Sequence, residues 1–184
     1  GIKRETQIIY PKDAGYIILK LGLRKGMRVL EVGIGSGALT IVMANVLSPT
    51  GVIHAYEKEE RFIKIAIENL KLAEVENIVK IHHKDIIQGI EEKDFDAGFI
   101  DLKEPWLYIE TILKVLKKGV PIGFILPTVN QVIKIIQDLQ RLKFFNIEVE
   151  EILNRPYKPV PERLRPVDKM SAHTGYLIFA RTPF

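Results

Sequence analysis

The sequence predicts an α/β fold: a mainly parallel sheet covered by helices, Rossmann-like in its first half. Three observations point to it. Short apolar runs alternate with helical apolar patterns along the whole chain. The stretch Met27 to Leu39, M-R-V-L-E-V-G-I-G-S-G-A-L, passes from a buried-strand run (Val29, Leu30, Val32) through Gly33, Gly35 and Gly37 into a helical pattern. Glu57 then stands at the carboxyl end of the next strand, 20 positions after Gly37.

Taken in order, Thr6–Tyr10 is short and extended, and Pro11 opens a helix with Asp13 in its first turn. Gly22 stops that helix, and Lys25-Gly26 turns the chain into the central strand. Leu39, Val42, Met43, Val46 and Leu47 make the crossover helix, and Ser48 to Gly51 a turn. Val52–Tyr56 is the second strand, followed by a helix over Glu59–Leu72. Ile78–His82 and Phe95–Asp101 are the third and fourth strands, and a helix with Ile109, Ile112, Leu113 and Leu116 follows. Val120–Leu126 is the fifth strand, and Pro127-Thr128 starts the next helix. Phe144–Leu153 and Gly175–Ala180 are the last two strands, an antiparallel hairpin carrying a long insert. The expected sheet therefore has seven strands.

Composition bounds the function. The chain has 184 residues, 47% of them apolar, which suits one domain with a sizeable core. It has no cysteine, which excludes a disulfide framework and a thiolate metal site. No signal peptide and no apolar run long enough to span a bilayer is seen, so a cytoplasmic protein is expected. A net charge of +4 and a pI near 9.2 permit a polyanionic partner.

The glycine turn asks for a ligand. Free N–H groups at a new helix face it, and glycines let the backbone come close. Gly33, Gly35 and Ala38 also fit a dinucleotide fingerprint, so a dinucleotide-dependent oxidoreductase stays open. Two details favour S-adenosylmethionine. Glu31 lies two residues before the first glycine, where a carboxylate can face a cationic ligand, and the third glycine comes one residue early for a dinucleotide loop. Glu57 is placed to accept from ribose hydroxyls, or else to start the next helix; Asp85 is placed to accept from an adenine amino group. His82, His83 and Asp85 stand together, but point different ways at a strand end with no fourth ligand evident, so no metal is expected.

The loop D-L-K-E-P-W, Asp101 to Trp106, puts an aspartate at the mouth of the sheet and a Pro-Trp pair behind it. Pro105 and Trp106 can hold a flat base by stacking; equally, Trp106 can be a buried helix-start aromatic. The insert Arg155 to Lys169 holds four prolines, with five positive and two negative side chains, a sum of +3. It reads as an exposed, extended loop, whose Arg155, Arg163 and Arg165 either contact nucleic-acid phosphate or belong to a subunit contact.

E-x-G-x-G-x-G at Glu31 resembles the first motif of class I S-adenosylmethionine-dependent methyltransferases. The segments T-Q-I-I-Y-P-K-D at Thr6, Y-E-K at Tyr56, D-L-K-E-P-W at Asp101 and M-S-A-H-T-G-Y-L-I-F-A-R at Met170 make the resemblance more specific. Together they resemble the tRNA (adenine-58-N1)-methyltransferase family, in its archaeal and bacterial branch, over the whole chain. The resemblance implies methyl transfer to N1 of the T-loop adenine of tRNA, with a second adenine at 57 or another RNA or small-molecule acceptor as alternatives. It implies that Gly33, Gly35, Ser36, Gly37 and Ala38 line the cofactor, with Glu57 on the ribose, Asp85 on the adenine, and Lys58, Phe62 and Ile86 beside them. Gln7, Ile9 and Tyr10 would close the site, Asp101 would face methyl group and target base, and His173 would shape the base pocket. It also implies a homotetramer. The family usually carries a small N-terminal β domain, which is not seen here, so residues 1–184 are read as the catalytic domain alone.

Overall fold

A computed structural model describes residues 9–184. Gln7 and most of the expected Thr6–Tyr10 strand lie outside the described residues. Pro11, at the first helical position, starts α1 (Pro11–Lys20), where its fixed φ suits the turn and its missing N–H has no cost. β1 (Arg28–Val32) follows, buried along almost its whole length. Gly37, at φ 79°, caps α2 (Ala38–Leu47). Then come β2 (Val52–Glu57), α3 (Glu60–Leu72), β3 (Val79–His83) and β4 (Ala97–Ile100). The chain continues through α4 (Ile109–Leu113), β5 (Pro121–Leu126), α5 (Val129–Arg141) and β6 (Phe145–Glu150). Two short strands, β7 (Tyr157–Lys158) and β8 (Arg165–Pro166), precede β9 (Tyr176–Arg181).

One seven-stranded sheet runs β3-β2-β1-β4-β5-β9-β6. β1 to β5 are mutually parallel, while β9 is antiparallel to both β5 and β6. The antiparallel last hairpin is therefore present, with β9 inserted between β5 and β6.

Side chains alternate across the sheet with period two. Val29, Ile53, Ala55 and Phe99 pack beneath Ile17, Met43, Leu47 and Leu70 of α1, α2 and α3. Leu30, Ile100, Ile122 and Phe124 pack beneath Ile112, Ile135 and Leu139 of α4 and α5. Both faces are covered, which explains why the parallel strands read as continuous apolar runs.

Two expected strands are longer than those observed. Phe95 makes only an isolated bridge with Leu116, so β4 begins at Ala97. β6 ends at Glu150, which pairs with Leu177 near the start of β9; beyond it no partner strand continues. The insert is not wholly extended either, since β7 and β8 pair as a small hairpin. No helix among the described residues is long and apolar enough to cross a membrane.

β1 sits between β2 and β4, so the chain's course reverses there, and ligands of such sheets bind at that switch point. Gly33 begins the turn at φ 86°, where an added Cβ would lie 2.2 Å from the Asp101 carbonyl oxygen. Gly33→Ala is therefore expected to destabilise the fold by more than about 1 kcal/mol, because both the backbone conformation and the neighbouring carbonyl oppose a side chain. The midpoint of urea unfolding measures it.

Candidate active site

The carboxyl ends of β1, β2 and β4 open onto a cavity of about 280 Å³. Gly33, Gly35, Ser36 and Ala38 of the glycine turn line it, with Glu31, Glu57, Phe62, Asp101 and Ile9. A second, smaller cavity takes the other side of the turn, with Gly33, Glu57, Lys58, Asp85, Ile86 and Tyr56 on its wall. Nearly all the sequence-predicted cofactor residues among those described thus converge on two adjoining spaces; Gly37 supports the turn from behind, packed near Ala66.

Each carboxylate is held differently. Glu31 is 2% exposed, and the Thr40 hydroxyl donates to its two oxygens at 3.0 and 2.8 Å. Burial pushes its carboxyl up, to about 8, against the Thr40 hydrogen bond; the Asp101 and Glu57 charges add to the rise. Glu57 is buried and accepts from the Glu59 N–H at 3.0 Å. Asp85 caps a short 3₁₀ turn by accepting from the Ile87 N–H at 3.0 Å. Asp101 remains open to solvent within the cavity, although protein atoms crowd it. That crowding, then the Glu57 charge, pushes its carboxyl up, to about 7. Water reaching Asp101 works against this push, whereas Glu31 has no such access.

The lining of the larger cavity chooses between ligands. Glu31, Glu57 and Asp101 contribute three carboxylates, and none of its described lining residues is a lysine or arginine. A dinucleotide pyrophosphate would meet that charge unfavourably, whereas a sulfonium or ammonium group meets it favourably. The residues present therefore fit S-adenosylmethionine.

A third space, about 170 Å³, lies past Asp101 and is lined by Ile9, Ile125, Leu126, Pro127, Thr174 and Gly175. Ile9 and Asp101 belong to both this cavity and the first. Thr174 is fixed from below. Its hydroxyl donates to Asp13 Oδ2 at 2.7 Å, and Lys12 Nζ donates to the Thr174 hydroxyl at 2.7 Å and to Asp13 Oδ1 at 3.0 Å. Asp13 is 1% exposed. Sequence reasoning read Asp13 only as a first-turn carboxylate; its place in the P-K-D segment was the available signal. Asn69 is a second omission: from α3 its amide donates to the Ser36 carbonyl at 2.9 Å and so supports the glycine turn.

Several expected residues stand elsewhere. Tyr10 caps α1 and lines a neighbouring groove with Lys12, Asn154 and Met170, rather than the cofactor cavities. His173 is exposed, with Nδ1 2.7 Å from Glu151 Oε1 and Nε2 3.0 Å from the Pro127 carbonyl. Glu151, then Pro127, holds its pKa above the ordinary value, so the ring straps Pro127 in place while Thr174 and Gly175 line the third cavity. Pro105 is buried, and Trp106 packs on the core beneath the Lys134 ammonium at 4.5 Å. The buried-aromatic reading of Trp106 is the one its packing fits. In the insert, Asp168 pairs with Lys158 at 2.5 Å and with Arg165 at 2.6 Å, while Arg155 and Arg163 have no ion-pair partner among the described residues.

Residues 1–164 match the family described as tRNA methyltransferase complex GCD14 subunit. The chain is 32% identical over 208 residues to the tRNA (adenine(57)-N(1)/adenine(58)-N(1))-methyltransferase TrmI of Methanocaldococcus jannaschii, a match covering 99% of this chain and 74% of the relative. The solved structure of tRNA (m1A58) methyltransferase TrmI from Aquifex aeolicus is similar at 48% identity and TM-score 0.92, covering 98% of this chain and 72% of that one. That of a SAM-dependent O-methyltransferase from Thermotoga maritima is similar at 47% identity and TM-score 0.95, covering 98% and 68%.

The buried Glu31 has a consequence for stability. Its folded pKa, about 8, lies above its ordinary 4.5, so the folded state holds a proton that the unfolded chain releases. Its contribution is full below about 4.5 and is lost as pH rises towards about 8. Glu31→Gln removes the titration and keeps the volume. Urea midpoints measured across that window are expected to fall with pH for the wild type relative to Glu31→Gln.

Proposed function

Since the chain belongs to the tRNA methyltransferase complex GCD14 subunit family, we propose that it methylates N1 of adenine 58 of tRNA, using S-adenosylmethionine, in the cytosol. Adenine 57 is the second acceptor to test, since the M. jannaschii relative is named for both positions. The observation that carries the reading is Asp101, on the wall common to the acidic cavity and the apolar one beyond it.

The cofactor supplies an electrophilic methyl group on a sulfonium. The protein's task is alignment, because adenine N1 is a neutral lone pair that needs no strong base. Glu57 accepts from ribose hydroxyls on the glycine-turn side, and the Glu31 carboxyl, which gives up its proton as a cation enters, faces the positive charge. Ile9, Ile125, Leu126 and Pro127 give the base an apolar slot that excludes water. The Asp101 carboxylate accepts from the adenine N6 amino group, which orients N1 and stabilises the charge that develops on the ring. N1 lies on the Watson–Crick edge, so the base leaves its pairing before it enters. The insert hairpin supplies phosphate contacts through Arg155 and Arg163. Arg165 is already paired with Asp168, so its share is smaller. The resemblance to the family also supports a homotetramer, which light scattering reads directly.

Nucleoside mass spectrometry of tRNA incubated with protein and cofactor is expected to show N1-methyladenosine; its absence, with cofactor bound, overturns the reading. Asp101→Ala is expected to lower single-turnover methyl transfer by about a hundredfold or more while cofactor affinity stays within a few fold. Replacing Arg155 and Arg163 with glutamine is expected to weaken tRNA binding and flatten its salt dependence, with cofactor affinity unchanged.

A further inference from the structure

We propose that His54, His82 and Glu92 bind one divalent transition-metal ion of the zinc class, which fastens the segment between β3 and β4 to the edge of the sheet. This inference does not depend on the enzyme reading. The sequence sets His82 beside His83 and Asp85; the fold instead brings His82 to His54 and Glu92. β2 and β3 pair with Tyr56 opposite His82, so His54 and His82 share one face two residues apart in register. Glu92 reaches them from the segment between β3 and β4.

The geometry suits coordination. His54 Nδ1 lies 3.0 Å from His82 Nε2. Glu92 Oε1 lies 3.8 Å from the first and 3.7 Å from the second. The circle through three atoms so separated has a radius of about 2 Å, and zinc binds imidazole nitrogen and carboxylate oxygen at about 2.0–2.2 Å. A single point thus lies at bonding distance from all three donor atoms, with a further position left for solvent, and an ion there replaces the hydrogen-bond contact between the two rings. Two imidazoles and one carboxylate select a borderline ion over magnesium or calcium, which take oxygen ligands.

The surroundings orient the donors as outer groups do at metal sites. His54 is 3% exposed and packs edge-on against Phe95 at 5.6 Å, so its ring is held. The Tyr56 hydroxyl donates to Glu92 Oε2, which leaves Oε1 for the ion. Asp85 and Ile86 lie on the segment that the ion would tie down, and Tyr56 shares their cavity wall, so the clamp would steady that side of the cofactor site.

Chelator-treated, tag-free protein titrated with zinc chloride in a calorimeter tests this. One ion per chain is expected, with the d–d absorption of a four-coordinate site when cobalt(II) replaces zinc. His82→Asn and Glu92→Gln, both at partly exposed positions, are expected to abolish binding and the zinc-induced rise in melting temperature. Tyr56→Phe is expected to weaken binding by about tenfold. Zinc should slow amide exchange over residues 84–95 in the wild type. No binding in the wild type, or binding that His82→Asn and Glu92→Gln leave unchanged, overturns the proposal; the second result means zinc sits elsewhere on the surface.

Discussion

The close approach of Gly33 to Asp101 is the constraint on which the site depends. The Asp101 N–H donates to the Val32 carbonyl at 2.8 Å, and the Gly33 N–H to the Tyr56 carbonyl at 2.9 Å. These two bonds draw the carboxyl ends of β2, β1 and β4 together. A side chain at position 33 would push the Asp101 carbonyl away and open the junction. With the junction closed, Glu31, Glu57 and Asp101 surround one cavity, and their mutual repulsion helps to raise Glu31 and Asp101. Negative charge gathered in a partly dry space is unfavourable by itself. It becomes favourable when a cation enters, and this links a backbone contact to ligand choice.

The opposite wall depends on the reversal of β9. In a fully parallel sheet, the segment entering the seventh strand would arrive at the amino end. Because β9 runs antiparallel, Thr174 and Gly175 arrive at the carboxyl end, beside Pro127 and Asp101. That entry is tied twice: to α1 through Lys12 and Asp13, and to the ends of β5 and β6 through His173, Pro127 and Glu151. The buried Asp13 carboxylate is tolerable because Lys12 and Thr174 both donate to it.

What was legible in the sequence is what short-range physics decides. The passage from Val29 to Val46 carries strand, turn and helix in contiguous residues, and the structure follows it closely. Pro11, Gly22 and Thr128 mark helix ends through local backbone and capping chemistry. Long-range packing decided the rest. Trp106 reads in sequence equally as a stacking surface or a buried aromatic, and only the fold shows that α5 places Lys134 over its ring. Arg165 looked like its neighbour Arg163 until the hairpin set Lys158 beside it, with Asp168 pairing to both. His54 drew no notice at all, because its partners lie 28 and 38 positions away in sequence and only the β2–β3 pairing brings them near.

β2 shows how one strand serves both sides of the sheet. Successive side chains point to opposite faces. Ala55 faces the helices that cover the glycine turn, while His54 and Tyr56 face the segment between β3 and β4. At the strand's end Glu57 reaches both cavities that flank the turn. Tyr56 therefore stands next in sequence to Glu57, and its hydroxyl is committed to Glu92. Any displacement of Glu92 must be transmitted through a buried aromatic ring stacked 4.5 Å from His82. A close-packed interior does not absorb such a shift locally. The smaller cavity and the histidine cluster thus share the Tyr56 side of one strand, coupled through that ring.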